Sequence, residues 1–210
     1  MDPPAPQTGY DPVADEYAEK FLRELQHKPF DCELLDRFAD RVRGWGPVCD
    51  LGCGPGQIAR YLHERGVAAF GLDLSRSMVE VAQRLNPGIH FEQGDMQALP
   101  AAEGAWAGIA AFYSIIHVPP DRVLSTLREL RRVLRSGGLL LLSFHVGAEV
   151  IHLDEWWGKP VSLDFYFFSP GDMEGYLRRA GFEVEAVLER APYEGVEHPS
   201  RRGYILARKP

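Results

Sequence analysis

Three glycines at alternate positions, Gly52, Gly54 and Gly56, break off the apolar run of residues 48–51 in the segment VCDLGCGPGQI. A short apolar run of this kind reads as a buried strand of a parallel sheet. Glycine has no Cβ and tolerates positive φ, so the chain can turn sharply into a helix while bare main chain approaches a ligand. The segment predicts a strand, a ligand-facing loop and a helix in succession.

The rest of the chain follows that rhythm. Short apolar strands are expected at 48–51, 67–72, 89–92, 107–112 and 139–145, with amphipathic helices at 57–65, 76–85 and 121–135. Gly66 closes the first of these helices, and Gly137 with Gly138 closes the last. Alternation of this kind implies right-handed βαβ units, hence a doubly wound α/β sheet with helices on both faces. Ligands of such sheets bind beyond the carboxyl ends of the strands. Ahead of the sheet, Asp11 reads as an N-cap with Pro12 at the first helical position, opening a helix to about residue 26 striped by Val13, Tyr17, Phe21 and Leu25. A second helix is expected at 31–43, and the proline-rich residues 1–9 are expected to be disordered or surface-bound. After residue 146 come an aromatic-rich connection to Phe168, a helix at 170–180 capped by Ser169 and Asp172, and two strands at 182–189 and 203–208. A loop alone joins these two strands, which predicts an antiparallel pair.

A length of 210 residues suits one domain with a sizeable core. The net charge of −7 argues against a nucleic-acid partner, which would demand a basic patch or stripe. The first twelve residues hold no basic n-region or apolar h-region, and the longest uncharged run, 105–120, is too short and polar to span a bilayer. The expectation is a soluble cytoplasmic protein with no membrane partner. Cys32, Cys49 and Cys53 make no metal-ligand pattern and read as reduced thiols. Cys53 fits its loop as a small residue, with no neighbouring base to make it a nucleophile.

Two acidic positions sharpen the glycine loop. Asp73 ends the second strand in FGLDLS, where a carboxylate can accept hydrogen bonds from both hydroxyls of a ribose held at the first βα turn. Asp95 follows the third strand in QGDM and can take the exocyclic amine of an adenine, with Leu74 and Met96 against the ring faces. Adenosine is the ligand these positions suggest. A dinucleotide fingerprint would need glycine where Gln57 stands. A nicotinamide-dependent oxidoreductase on the same sheet is therefore the weaker alternative.

DLGCGPG, GLDLS, GDM and LRELRRVLRSGGLLLLSF resemble, in order and spacing, the successive motifs of the class I S-adenosylmethionine-dependent methyltransferases. The resemblance covers about residues 10–144, and the last helix and strands fit that family's mostly parallel seven-stranded sheet with its antiparallel last strand. It implies S-adenosylmethionine as cofactor. Gly52, Gly54 and Gly56, with Cys53 between them, would line its methionine and ribose part, buttressed by Asp50. Asp73 would hold the ribose, while Gly94, Asp95 and Met96 would hold the adenine. Tyr113 and Ser114 would lie beside the sulfonium, and YDPVADEY at 10–17 resembles a segment that closes over the cofactor, making Tyr10 and Tyr17 lid contacts in a helical lid of residues 10–43.

The same resemblance implies in-line methyl transfer to a small molecule, in which alignment of the reactants can supply up to about 7–11 kcal/mol. Where the acceptor must lose a proton, His117 is the candidate base, since an imidazole titrates near neutrality. His145, His152, Trp156, Trp157, Tyr166 and Phe168 are the candidate acceptor contacts, with 146–168 and 191–202 overhanging the mouth of the site. A domain that binds the cofactor without catalysis is a further alternative.

Overall fold

Strand β1 (Val48–Leu51) is an inner strand, third from one edge, of a seven-stranded sheet. On one side of it run β2 (Ala69–Asp73) and β3 (Phe91–Gln93); on the other run β4 (Trp106–Phe112), β5 (Leu134–His145), β9 (Arg202–Arg208) and β8 (Glu183–Arg190). The first five are parallel, and β9 is antiparallel to both of its neighbours. The computed structural model describes residues 7–210, so residues 1–6 of the proline-rich start lie outside the described residues. Residues 7–10 form a short helix, α1 (Gln7–Tyr10), in place of the expected disorder. Gly9 packs there so closely on Leu163 that a Cβ would sit 2.3 Å from its Cδ2.

The leucines of β5 show how period-two sequence covers both faces. Leu140 and Leu142 join Leu51, Ile109 and Leu127 in the core under α6 (Pro120–Val133) and α7 (Pro170–Ala180). Leu139 and Leu141 enter the opposite core with Val48, Phe38 and Leu62, beneath α3 (Pro29–Val42) and α4 (Gln57–Glu64). Gly108 is glycine because α3 crosses β4 there, and a Cβ would meet the Phe38 ring at 2.8 Å. Ser169 caps α7, its Oγ accepting from the Asp172 amide at 3.0 Å.

Three expectations need correction. The helix expected from Asp11 to residue 26 is broken into a 3-10 turn, α2 (Ala14–Phe21) and a second 3-10 turn at Glu24–His27. Asp11 does not cap it. Its Oδ1 instead accepts from the Ser77 amide at 3.2 Å and from the Ser75 hydroxyl, tying the lid to α5 (Arg76–Leu85). β5 begins at Leu134 rather than 139, because Leu134 pairs with Trp106 ahead of an irregularity that restores register at Leu139. The connection 146–168 is a second, two-stranded sheet of β6 (Val150–Trp156) and β7 (Lys159–Tyr166). Its two-residue turn, Trp157-Gly158, has positive φ at both residues, as a right-twisted hairpin requires. Among the described residues no helix is long and apolar enough to cross a membrane.

Candidate active site

The carboxyl ends of β1, β2 and β4 open into a cavity of about 480 Å³, roofed by the segment from α1 to Lys28 and by the hairpin β6–β7. Its floor is the glycine loop. Gly52 and Gly54 have φ of +72° and +49° and both face the cavity with Cys53. At Gly52 a Cβ would strike Ser114 Cβ at 2.3 Å, whereas at Gly54 nothing lies nearer than Tyr17, at 3.7 Å. Gly56 does not reach the cavity; its missing Cβ makes room for Asn86 and Phe91, both 2.7 Å away. Asp50 Oδ2 accepts from the Ala59 amide at 2.8 Å, and burial pushes its carboxyl up to about 8. Burial also raises the Cys53 thiol far above its ordinary range, which leaves it inert.

Asp73 braces the loop as well as facing the cavity. Oδ2 accepts from the Gly54 amide and Oδ1 from the Ser75 amide, each at 2.8 Å, and each oxygen keeps a further lone pair. Burial raises its pKa against the pull of those amides. Leu74, Gly94, Asp95 and Met96 line the adjoining wall, where Asp95 Oδ1 accepts from the Gln97 amide at 2.8 Å.

Tyr10 and Tyr17 close the roof in edge-to-face contact at 5.5 Å, and Trp156 meets both rings from the hairpin. Lys159 fastens the two parts, donating to the Pro12 carbonyl at 2.7 Å and pairing with Glu16. His117 Nδ1 donates to the Asp164 carbonyl at 2.8 Å, so the lone pair on Nε2 is left to accept from the Tyr10 hydroxyl at 3.0 Å. Burial pushes His117 down to about 4. Tyr113, at the end of β4, holds φ of +53°, a conformation that non-glycine residues adopt chiefly where function or packing demands it.

At the far end, His145, Phe167, Val196, Glu197, His198 and Arg202 close the cavity. A buried ionic group supports this wall. Arg190 binds Asp31 at 2.7 Å and Glu197 at 2.6 Å, while Tyr204 donates to Asp31 at 3.1 Å and lies 3.2 Å from the Tyr113 hydroxyl. Of the hairpin residues singled out in the sequence, Trp156 reaches the cavity, but His152, Trp157 and Tyr166 do not. His152 is on the outer face between Asp154 and Asp164, Trp157 is in the turn against Phe21, and Phe168 is in the core. The inward positions are Ile151, Leu153, Phe165 and Phe167. Alternation of apolar residues at 151 and 153 and at 163, 165 and 167 is the sequence signal that marks them, and it identifies two strands where a connection is expected. Lys28 carries no local signal; Glu197 and Arg202 lie in the segment 191–202 expected at the mouth, but neither is marked there individually.

Residues 48–138 match the family model for a methyltransferase domain. That segment runs from β1 into β5 and carries the glycine loop, Asp73 and Asp95. The chain is 31% identical over 150 residues to a malonyl-[acyl-carrier protein] O-methyltransferase of Enterobacter lignolyticus, an alignment that takes in 67% of this chain and 57% of that one. The chain thus spans little more than half the length of that curated relative. The fold is the one seen in an S-adenosylmethionine-dependent methyltransferase of Methanosarcina mazei, with TM-score 0.69, 16% identity and coverage of 78% and 92%. It is also seen in DhpI in its SAH complex, with TM-score 0.73, 24% identity and coverage of 95% and 93%.

S-adenosylmethionine is the cofactor of this class, and the cavity suits it. Two buried polar atoms beside the glycine loop, Ser114 Oγ and Gln57 Oε1, have no hydrogen-bond partner among the described residues. The open face of Gly54 and the acidic lining of Asp50, Asp73 and Asp95 are suited to a ribose and a cationic sulfonium.

Proposed function

We propose that the protein transfers a methyl group from S-adenosylmethionine to a small-molecule acceptor bound between Tyr113, His145 and the hairpin β6–β7. The observation that carries this reading is the single cavity that runs from the glycine loop to Arg202 beneath the Tyr10–Trp156 roof. Its size lies in the range of small-ligand sites.

When bound, the cofactor supplies a methyl group on a positively charged sulfur, an already activated donor. The chain's own part is to hold and to exclude. Asp73 would bind the ribose hydroxyls, and Asp95 with the Met96 main chain would bind the adenine. Leu74, Gly94, Cys53 and the glycine loop shape the walls of that half, and Ser114 Oγ is the free donor nearest Gly52. Tyr10, Tyr17 and Trp156 exclude water, which strengthens alignment as a source of rate. In the closed form His117 has both nitrogens engaged, so its role here is to latch the lid, and proton removal by it would first require Tyr10 to leave.

A carrier-bound acyl group is the second reading, favoured by the activity named for the Enterobacter lignolyticus relative. The test is calorimetry with S-adenosylhomocysteine, followed by release of that product across a panel of free metabolites and carrier thioesters. Turnover of free acceptors supports the proposal, and turnover of thioesters alone transfers it to the second reading. Absence of cofactor binding by folded protein overturns both.

A further inference from the structure

The second imidazole of the cavity is held in a tautomer opposite to that of His117. His145 Nδ1 lies 2.8 Å from Ser200 Oγ and 3.0 Å from Arg202 Nη1. An arginine side chain offers donors only, so Nδ1 must be the accepting nitrogen. Arg202 Nη1 is also within reach of Ser200 Oγ and the Ser200 carbonyl, so its two hydrogens are shared among three acceptors, of which Nδ1 is one. The ring hydrogen therefore resides on Nε2, and Nε2 has no hydrogen-bond partner among the described residues.

Arg202 cannot easily leave this position. It is 3% exposed and also donates to the Ser200 carbonyl at 2.7 Å and to the His198 carbonyl at 3.0 Å. Phe167 stacks on the imidazole at 4.9 Å with planes 18° apart, which fixes the ring's orientation. Burial, Arg202, His198 and His117 all disfavour the imidazolium, and only Glu197 favours it. With its lone pair covered and its hydrogen unused, His145 is shaped to donate a hydrogen bond rather than to take up a proton.

We propose that His145 is a positioning residue for the acceptor, oriented by Arg202 to donate its Nε2 hydrogen to a carbonyl or carboxylate oxygen, and that such oxygens mark the acceptor class. The proposal deepens the methyl-transfer reading and rests on it for the word acceptor; the hydrogen-bond donor itself does not. Its site is the half of the cavity beyond Tyr113, where Phe165 and Phe167 offer flat apolar walls for the remainder of the molecule.

The test uses the full chain with S-adenosylhomocysteine, and nitrogen-15 spectra of the His145 ring. Between about pH 5 and 8, Nδ1 should give an unprotonated signal and Nε2 a protonated one. A proton on Nδ1 in that range overturns the proposal, and this readout stands even if methyl transfer is never found. Benzoate and benzamide should then bind and move the Nε2 signal, while benzylamine, which lacks the oxygen, should not. His145→Phe, which keeps the stack on Phe167, should weaken benzoate binding about tenfold, and His145→Gln, which restores a donor, should recover most of it. Equal binding of benzylamine, undiminished benzoate binding by His145→Phe, or no benzoate response from the wild-type protein each overturns it.

Discussion

The hydroxyl of Tyr10 donates to Nε2 of His117 across 3.0 Å, joining the lid to the turn that follows β4. The two residues are 107 positions apart, and the contact exists because the Asp164 carbonyl fixes the hydrogen of His117 on Nδ1. Tyr10→Phe deletes this bond while keeping the ring contacts with Tyr17 and Trp156. Loss of one neutral hydrogen bond, about 1 kcal/mol, should raise the dissociation constant for S-adenosylhomocysteine roughly fivefold. The donor favours the unprotonated imidazole, so its removal should also move the His117 titration upward from about 4, as nitrogen-15 spectra would report.

Much of the sheet was legible in the sequence because β1, β2, β4 and the leucines of β5 are short apolar runs, and that signal is local. Gly52, Asp73 and Asp95 were legible for the same reason, since each sits at a strand end that the motif itself marks. The acceptor end was not. Glu197 meets Lys28, and Arg190 meets Asp31, only because β9 lies beside β5 and the start of α3 packs against this end, a relation between residues some 160 positions apart in the pairing of Arg190 with Asp31. Hairpin β6–β7 was concealed by its bulky aromatics, which suggested a cluster, while the alternation that distinguishes Phe165 and Phe167 from Tyr166 spans only a few residues.

Gly52 and Gly54 should respond differently to the same substitution. A Cβ at Gly52 would lie 2.3 Å from Ser114 Cβ, and φ is +72°. Gly52→Ala should therefore destabilise the fold by about 1–3 kcal/mol or more through strain and overpacking. At Gly54 there is space, so Gly54→Ala should cost about 1 kcal/mol of stability for its left-handed φ. It should still weaken cofactor binding, because the added methyl would occupy the cavity. Denaturant unfolding beside calorimetry separates the two effects.

Asp50 provides a pH dependence with a definite sign. Burial pushes its carboxyl up to about 8, so near pH 7 it is largely protonated in the free protein. A cationic ligand in the cavity favours the carboxylate, and binding of S-adenosylmethionine should therefore release a proton. Affinity should rise with pH up to about 8 and then level off. Calorimetry in two buffers of different ionisation enthalpy measures the proton directly, and Asp50→Asn, whose amide oxygen can still accept from Ala59, should abolish both the release and the slope.

Arg190 links the stability of the fold to the geometry of the acceptor end. It bridges Asp31 at the start of α3 and Glu197 in the loop before β9, and both carboxylates are almost wholly buried. Arg190→Met would leave two buried carboxylates without their shared cation, a change that typically costs about 3–5 kcal/mol. Asp31, already raised by burial, should then take up a proton, so that Asp31→Asn restores much of the loss in the double variant. Arg190→Lys keeps the charge but gives up the two-pronged contact, and should fall between the two. Tyr204 bonds to Asp31 and touches the Tyr113 hydroxyl, so the rescued double variant should remain folded yet hold Tyr113 less firmly. Its KM for the acceptor should then rise while its affinity for S-adenosylhomocysteine, bound at the opposite end, stays unchanged.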